Sequence, residues 1–152
     1  MLQIGLSHRL SLRSLNLLQL HMFFEHTSNF LEHLRTKEEC DRVLAEARRV
    51  LRPGGRFLIM GPNIRYLAAE YWDFYDHCLP LSHLSMEEGL VQADYEIDRI
   101  IPRFLPYTTQ SRLPQHPLLV ALYLRTPMAW RVLGKQFLVV ARKPTDGFKA
   151  PT

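Results

Sequence analysis

Three stretches of this sequence hold the residue types that do chemistry. The first is Asn29-Phe30-Leu31-Glu32-His33. His33 is a candidate general base, because an imidazole titrates near neutral pH. Glu32 and His33 also read as plain polar residues at a helix start. The second stretch runs from Asn63 to His77 and carries Arg65, Tyr66, Trp72, Asp73 and Asp76. Either Asp76 or His77 could take a proton from an attacking nucleophile. Its rings, Tyr71, Trp72, Phe74 and Tyr75, suit a substrate wall and equally suit the packing of a helix. The third stretch holds Arg103, Tyr107, Arg112 and His116. Its arginines could hold an anionic group, a phosphate or a sugar acid, or could simply face solvent in a loop.

Other chemistries find little support. Cys40 and Cys78 lack the spacing of a metal site and read as reduced thiols of an intracellular, cytoplasmic protein. No metal is expected. The net charge is +4, without a dense Lys/Arg run or a nucleic-acid motif, which argues against sequence-specific nucleic-acid binding. No apolar run approaches the ~18 residues of a membrane span. With 47% hydrophobic and 22% charged residues, a chain of 152 residues can fill the core of one ordinary domain.

The elements that must position these residues are legible from Thr36 onward. Thr36-Lys37-Glu38-Glu39 reads as a capping box. Val43, Leu44, Ala47, Val50 and Leu51 then recur at helical spacing, and Arg48, Arg49 and Arg52 suit the last turn. Pro53-Gly54-Gly55 stops the helix, and Phe57-Leu58-Ile59-Met60 reads as a buried parallel strand. Ser85-Met86-Glu87-Glu88 reads as a second capping box, opening a short helix to about Ala93. Tyr95 to Ile101 is β-prone and Pro102 ends it. Leu118, Leu119, Leu122 and Tyr123 suggest a helix broken or kinked at Pro127. Gln136 to Ala141 is the last strand, and the tail from Lys143 is expected to fray. Helices alternating with apolar strands indicate an α/β layered fold.

Two motifs carry a family resemblance. Ser28-Asn29-Phe30-Leu31-Glu32-His33-Leu34 is followed by a helix of some sixteen residues and then by Leu51-Arg52-Pro53-Gly54-Gly55-Arg56-Phe57. This order resembles the second half of class I S-adenosylmethionine-dependent methyltransferases, over about residues 27–142. The resemblance implies a partial Rossmann-like sheet. It would hold the family's fourth to seventh strands with flanking helices, the last strand antiparallel. It places Asn29, Phe30 and Glu32 beside S-adenosylmethionine, after the fourth strand. Asn63, Arg65, Tyr66, Trp72, Asp73 and Tyr107 then fall where ligands bind, outside the carboxyl ends of strands. Methyl transfer is an in-line displacement at a sulfonium methyl group, so the protein mainly positions reactants, with His33, Asp76 or His77 as a base.

The resemblance is incomplete. The family's first strand ends in a Gly-x-Gly-x-Gly-like loop, where only glycine lets the backbone approach the cofactor, and an acid after the second strand holds the ribose. Gly54 and Gly55 instead belong to the turn before the fifth strand. About 27 residues precede the Ser28 segment, against roughly 30 for each βαβ unit. Residues 1–26 are atypical. Met1 to Leu20 is rich in leucine and serine and has no acid, which fits an amphipathic helix, a targeting segment or a sequence foreign to the fold. The last is favoured, with Met22-Phe23-Phe24 as a remnant of the fourth strand. The resemblance implies a small-molecule, glycan or lipid-precursor acceptor in the complete enzyme. The missing loop favours a fragment that is not catalytic alone, with a partner chain covering the open sheet edge.

Overall fold

The structure is a computed structural model, and it describes residues 22–107 and 117–145. Its elements are β1 (Met22–Ser28), a 3-10 turn (Leu31–His33), α1 (Lys37–Val50), β2 (Leu51–Pro62), α2 (Ile64–Leu67) and a second 3-10 turn (Glu70–Asp73). They continue with α3 (His83–Gln92), β3 (Glu96–Ile101), α4 (Pro117–Arg125), α5 (Pro127–Leu133) and β4 (Gln136–Arg142). One four-stranded sheet has the order β1-β2-β4-β3. β1 runs parallel to β2, and β4 is antiparallel to both β2 and β3. This is the expected partial sheet with an antiparallel last strand.

Helix α1 forms where the sequence places it. Thr36 Oγ1 accepts from the Glu39 amide at 3.3 Å, as a cap should. The return bond differs from the expected box. The Glu39 carboxylate accepts from the Arg35 amide at 2.8 Å, one residue before the cap. Cys40, Leu44 and Val50 are buried, while Val43 and Ala47 pack partly against the core. Arg52 lies in β2, not in the last helical turn, because Leu51 is already extended. Pro53-Gly54-Gly55 then interrupts the pairing with β1, whose register jumps from Met22↔Leu51 to Phe24↔Arg56. Gly54 has φ +75°, a left-handed conformation that favours glycine. Its amide donates to the Lys143 carbonyl at 2.8 Å. The Lys143 ammonium in turn donates to the carbonyls of Arg48 and Leu51, so the chain is anchored through Lys143, where fraying was expected to begin.

The sheet is buried on one face. Phe57 and Ile59 of β2 and Phe137, Val139 and Ala141 of β4 are at most 2% exposed. They pack beneath Leu44 of α1 and Met86 and Leu90 of α3. The alternate residues Leu58, Met60, Leu138 and Val140 are only half-buried, so β2 is not the two-face-buried strand its apolar run suggested. Helix α3 starts earlier than expected. Ser82 is its cap, exchanging bonds with Ser85 at 3.1 and 2.9 Å, and the first helical residue is His83. Pro127 opens a separate helix, α5, at the position where proline's missing amide costs nothing. The Arg103 guanidinium closes that helix by donating to the carbonyls of Val132 and Gly134. Among the described residues, no helix is long and apolar enough to cross a membrane.

Candidate functional site

The site lies beyond the carboxyl ends of the parallel strands β1 and β2. At the end of β1, Asn29 takes a left-handed turn, φ 49°, while its amide still donates to the Met60 carbonyl. The chain then tightens into the 3-10 turn. This places Leu31 in the core, buries Glu32 and leaves the His33 ring exposed. The Glu32 carbonyl accepts from the amides of Cys78 and Leu79, at 2.8 and 3.0 Å. Those two bonds clamp the segment after β2 onto the segment after β1. Gly61 of β2 lies beneath, where a Cβ would stand 3.8 Å from Glu32 Oε2 and 3.4 Å from the Phe137 ring, in ordinary contact with both.

The clamp gathers Glu32, His33 and His77. Each offers one donor atom, and the three atoms lie within 4.8 Å of one another. The His33 and His77 rings meet edge-on with centroids 5.2 Å apart. His77 is buried, and its Nδ1 lies 3.1 Å from the Tyr71 carbonyl. A carbonyl only accepts, so Nδ1 carries the proton and Nε2 holds the lone pair. The Tyr107 hydroxyl stands 3.3 Å from that Nε2. His33 Nδ1 similarly faces the Asp76 carbonyl at 3.2 Å and the Asp76 carboxylate at 3.3 Å. Tyr71, Phe74 and Tyr107 pack around the His77 ring.

Burial shifts these groups toward their neutral forms. Desolvation raises the Glu32 carboxyl to about 6, against the pull of its backbone hydrogen bonding and of His33. Desolvation, then the nearby His33, pushes His77 below the usual imidazole range. The Tyr107 hydroxyl is pushed up to about 12, by desolvation and then by Glu32. Tyr71 is raised as well, chiefly by burial, and donates to the Leu79 carbonyl at 2.7 Å.

The remaining sequence-predicted residues are dispersed. Asn63 is fully buried, and its amide donates to the Pro102 carbonyl at 2.8 Å and faces His83 at 2.9 Å. Its side-chain oxygen caps α2 at the Arg65 amide. Arg65, Trp72 and Asp73 are exposed, and Trp72 stacks edge-on against Tyr71. The Arg103 guanidinium carbon lies over Tyr66, 4.9 Å from the centroid of the tyrosine ring. That arginine is engaged on α5, which leaves it badly placed for an anionic ligand. Arg112 and His116 fall outside the described residues. The sequence brought Glu32 and His33 together with ease. The resemblance put His77 and Tyr107 near the same strand ends, but a separation of over forty residues carries no periodicity that would bring them onto His33.

Among the described residues, no glycine-rich cradle for S-adenosylmethionine is present. Asn29 and Phe30 are exposed beside the strand end, as a cofactor border would be. Glu32 is not, since only 3% of it is exposed and its carboxylate lies against Gly61 and the two histidines. No described loop offers a run of backbone amides freed by glycine.

No protein-family model matches the chain, and no curated protein matches it. Solved structures do. A methyltransferase from Archaeoglobus fulgidus superposes with TM-score 0.56 at 14% identity, covering 82% of this chain and 60% of the other. A complex between a Haloferax volcanii methyltransferase activator and a methyltransferase matches with TM-score 0.55 at 16% identity, covering 80% and 54%. A methyltransferase from Mesorhizobium loti matches with TM-score 0.53 at 14% identity, covering 90% and 68%. The fold is that of the class I S-adenosylmethionine-dependent methyltransferases. The chain spans 60% and 54% of the length of the first two.

Proposed function

We propose that this chain is the acceptor-side half of an S-adenosylmethionine-dependent methyltransferase, and that alone it does not hold the cofactor. The observation that carries the reading is the cluster of Glu32, His33, His77 and Tyr107 at the carboxyl ends of β1 and β2, the sheet position where open α/β folds bind ligands. In the complete enzyme, Asn29 and Phe30 border S-adenosylmethionine. Arg65, Tyr66, Trp72 and Asp73 line the approach of a small-molecule, glycan or lipid-precursor acceptor. Asn63 holds that wall in place from beneath. Tyr107 and His77 form one proton-accepting pair and His33 with Asp76 another, so either can take the acceptor's proton. The unit runs from about residue 27 to 142, and β1 extends it back to Met22. Reduced thiols fit a cytoplasmic setting.

A second reading has its own support. The sequence holds no Gly-x-Gly-x-Gly loop, so a non-catalytic module docked on a partner chain is the alternative. Calorimetric titration with S-adenosylmethionine and its demethylated product separates the two parts of the proposal. The isolated chain is expected to show no binding at micromolar concentrations. Adding a polypeptide with the first three strands of the fold should restore it. Micromolar binding by the chain alone would overturn the first claim, and no binding after complementation would favour the module.

A further inference from the structure

We propose that Glu32, His33 and His77 form a binding site for a divalent transition-metal ion of the zinc class. The donor set is two imidazoles and one carboxylate, with donor atoms within 4.8 Å of one another. Hard cations such as magnesium and calcium prefer all-oxygen shells, whereas imidazole with carboxylate suits zinc, cobalt, iron and manganese. Three protein ligands leave a coordination position open for water or for an oxygen of a bound molecule.

Both histidines are already oriented as metal ligands are. Such a ring donates its second N–H to a carbonyl or carboxylate, which fixes the tautomer. His77 does this through Nδ1 to the Tyr71 carbonyl at 3.1 Å. His33 does it through Nδ1 to the Asp76 carbonyl at 3.2 Å, with the Asp76 carboxylate at 3.3 Å. In each ring the other nitrogen, Nε2, is left to coordinate, and an ion held there takes the lone pairs that accept a proton in the ion-free site. Two of the three ligands are buried, and the carbonyl of Glu32 is tied to the His77 segment by the Cys78 and Leu79 amides. The chain therefore fixes Glu32 and His77 and leaves the exposed His33 as the member that closes. Bonds of about 2.0–2.1 Å bring tetrahedral ligands to about 3.3 Å from one another, so a small shift of His33 that keeps its Nδ1 on Asp76 completes the site. The Tyr107 hydroxyl, 3.3 Å from His77 Nε2, yields that nitrogen to the ion and can then hydrogen-bond the oxygen in the open position.

The experiment titrates the chelator-treated full chain with cobalt(II), read by its visible absorption, and with zinc(II), read by calorimetry. S-adenosylmethionine is absent throughout, so the outcome is independent of the cofactor reading. One equivalent should bind at micromolar affinity or tighter, with the intense absorption of a low-coordinate cobalt centre. His33→Ala removes an exposed ring, and His77→Ala a buried one. Each should weaken binding at least tenfold, with far-ultraviolet circular dichroism reporting that the fold persists. Cys78→Ser and His83→Ala should bind as the parent does. Zinc should raise the melting temperature of the parent but not of His33→Ala. Unchanged affinity in His33→Ala, or no saturable one-equivalent binding by the parent, overturns the site.

Discussion

Cys40 and Cys78 have the same side chain in opposite surroundings. Cys40 is 5% exposed within the core between α1 and α3, and burial raises its thiol from 9.0 to about 11. Cys78 is exposed beside the candidate site. The thiolate is the reactive form, so Cys40 is protected both by access and by protonation. At pH 8 a thiol reagent should label one cysteine quickly and the other only as the chain unfolds. Cys78→Ser should abolish the fast phase, and two equal rates would refute the assignment. The same shift predicts a pH effect. The folded chain holds the Cys40 proton more tightly than the unfolded chain, so this contribution to stability is intact below about 9 and is lost as pH rises toward 11. Denaturation midpoints measured from pH 8 to 11 should fall, and should fall less in Cys40→Ala. At this scale the sequence was informative about residue type and weak about neighbourhood. His33 and His77 both stood out as imidazoles, yet their meeting depends on two amides bonding to the Glu32 carbonyl, and backbone bonds of that kind leave no mark on side-chain identity.

The elements were legible where local chemistry is strong. The Thr36 cap and the Arg48-Arg49 end of α1 follow from rules that act within a few residues and are in place, whereas Pro53-Gly54-Gly55, expected as the turn before the strand, lies inside β2 as a break in its pairing with β1. The start of α3 was misplaced because Ser82 and Ser85 cap each other without the acid that marks a box. The half-buried second face of β2 was missed because a continuous apolar run does not say how many layers cover it. Two glycines test the element scale. Gly134 has ordinary φ, but a Cβ there would stand 2.6 Å from both the Arg103 carbonyl carbon and the Trp130 oxygen. Backbone cannot yield as a flexible side chain does, so Gly134→Ala should cost about 1–3 kcal/mol and loosen α5 from the segment after β3. Among the described residues, a Cβ at Gly54 meets only the Thr145 methyl at 3.3 Å, but Gly54→Ala keeps the left-handed φ, which should cost about 1–2 kcal/mol. Urea denaturation of the two variants checks both values. Equal stability of Gly134→Ala and the parent would show that the Arg103 and Trp130 backbone yields to the added methyl.

Taken as a whole, the molecule has a well-filled core and two unfinished surfaces. One is the helical pair α4 and α5, where no residue is buried and Leu118, Leu122, Met128 and Val132 are each over 60% exposed. The other is the sheet edge. β1 pairs with β2 on one side, and among the described residues no strand pairs with its other side. Half-buried Leu58, Met60, Leu138 and Val140 lie on the less covered face of the same sheet. A strand edge presents unpaired amides and carbonyls in register, which is a template for another strand. Apolar patches of this extent are uncommon on monomers. The core alone is worth protecting, since Leu44→Ala at 1% exposure should remove about 2–5 kcal/mol. That loss is a large part of the 5–15 kcal/mol that usually separates folded from unfolded. The isolated chain should therefore associate as its concentration rises, seen as growing mass in light scattering and a melting temperature that depends on concentration. A lysine introduced on β1 at His26, exposed and in register with Leu58 on the less covered face, should reduce association without lowering helix content, because a charge blocks strand addition but leaves the core intact. A polypeptide supplying the neighbouring strand should do the same and also sharpen the melt. A monomer that melts cooperatively at every concentration would mean that the open edge of β1 needs no cover.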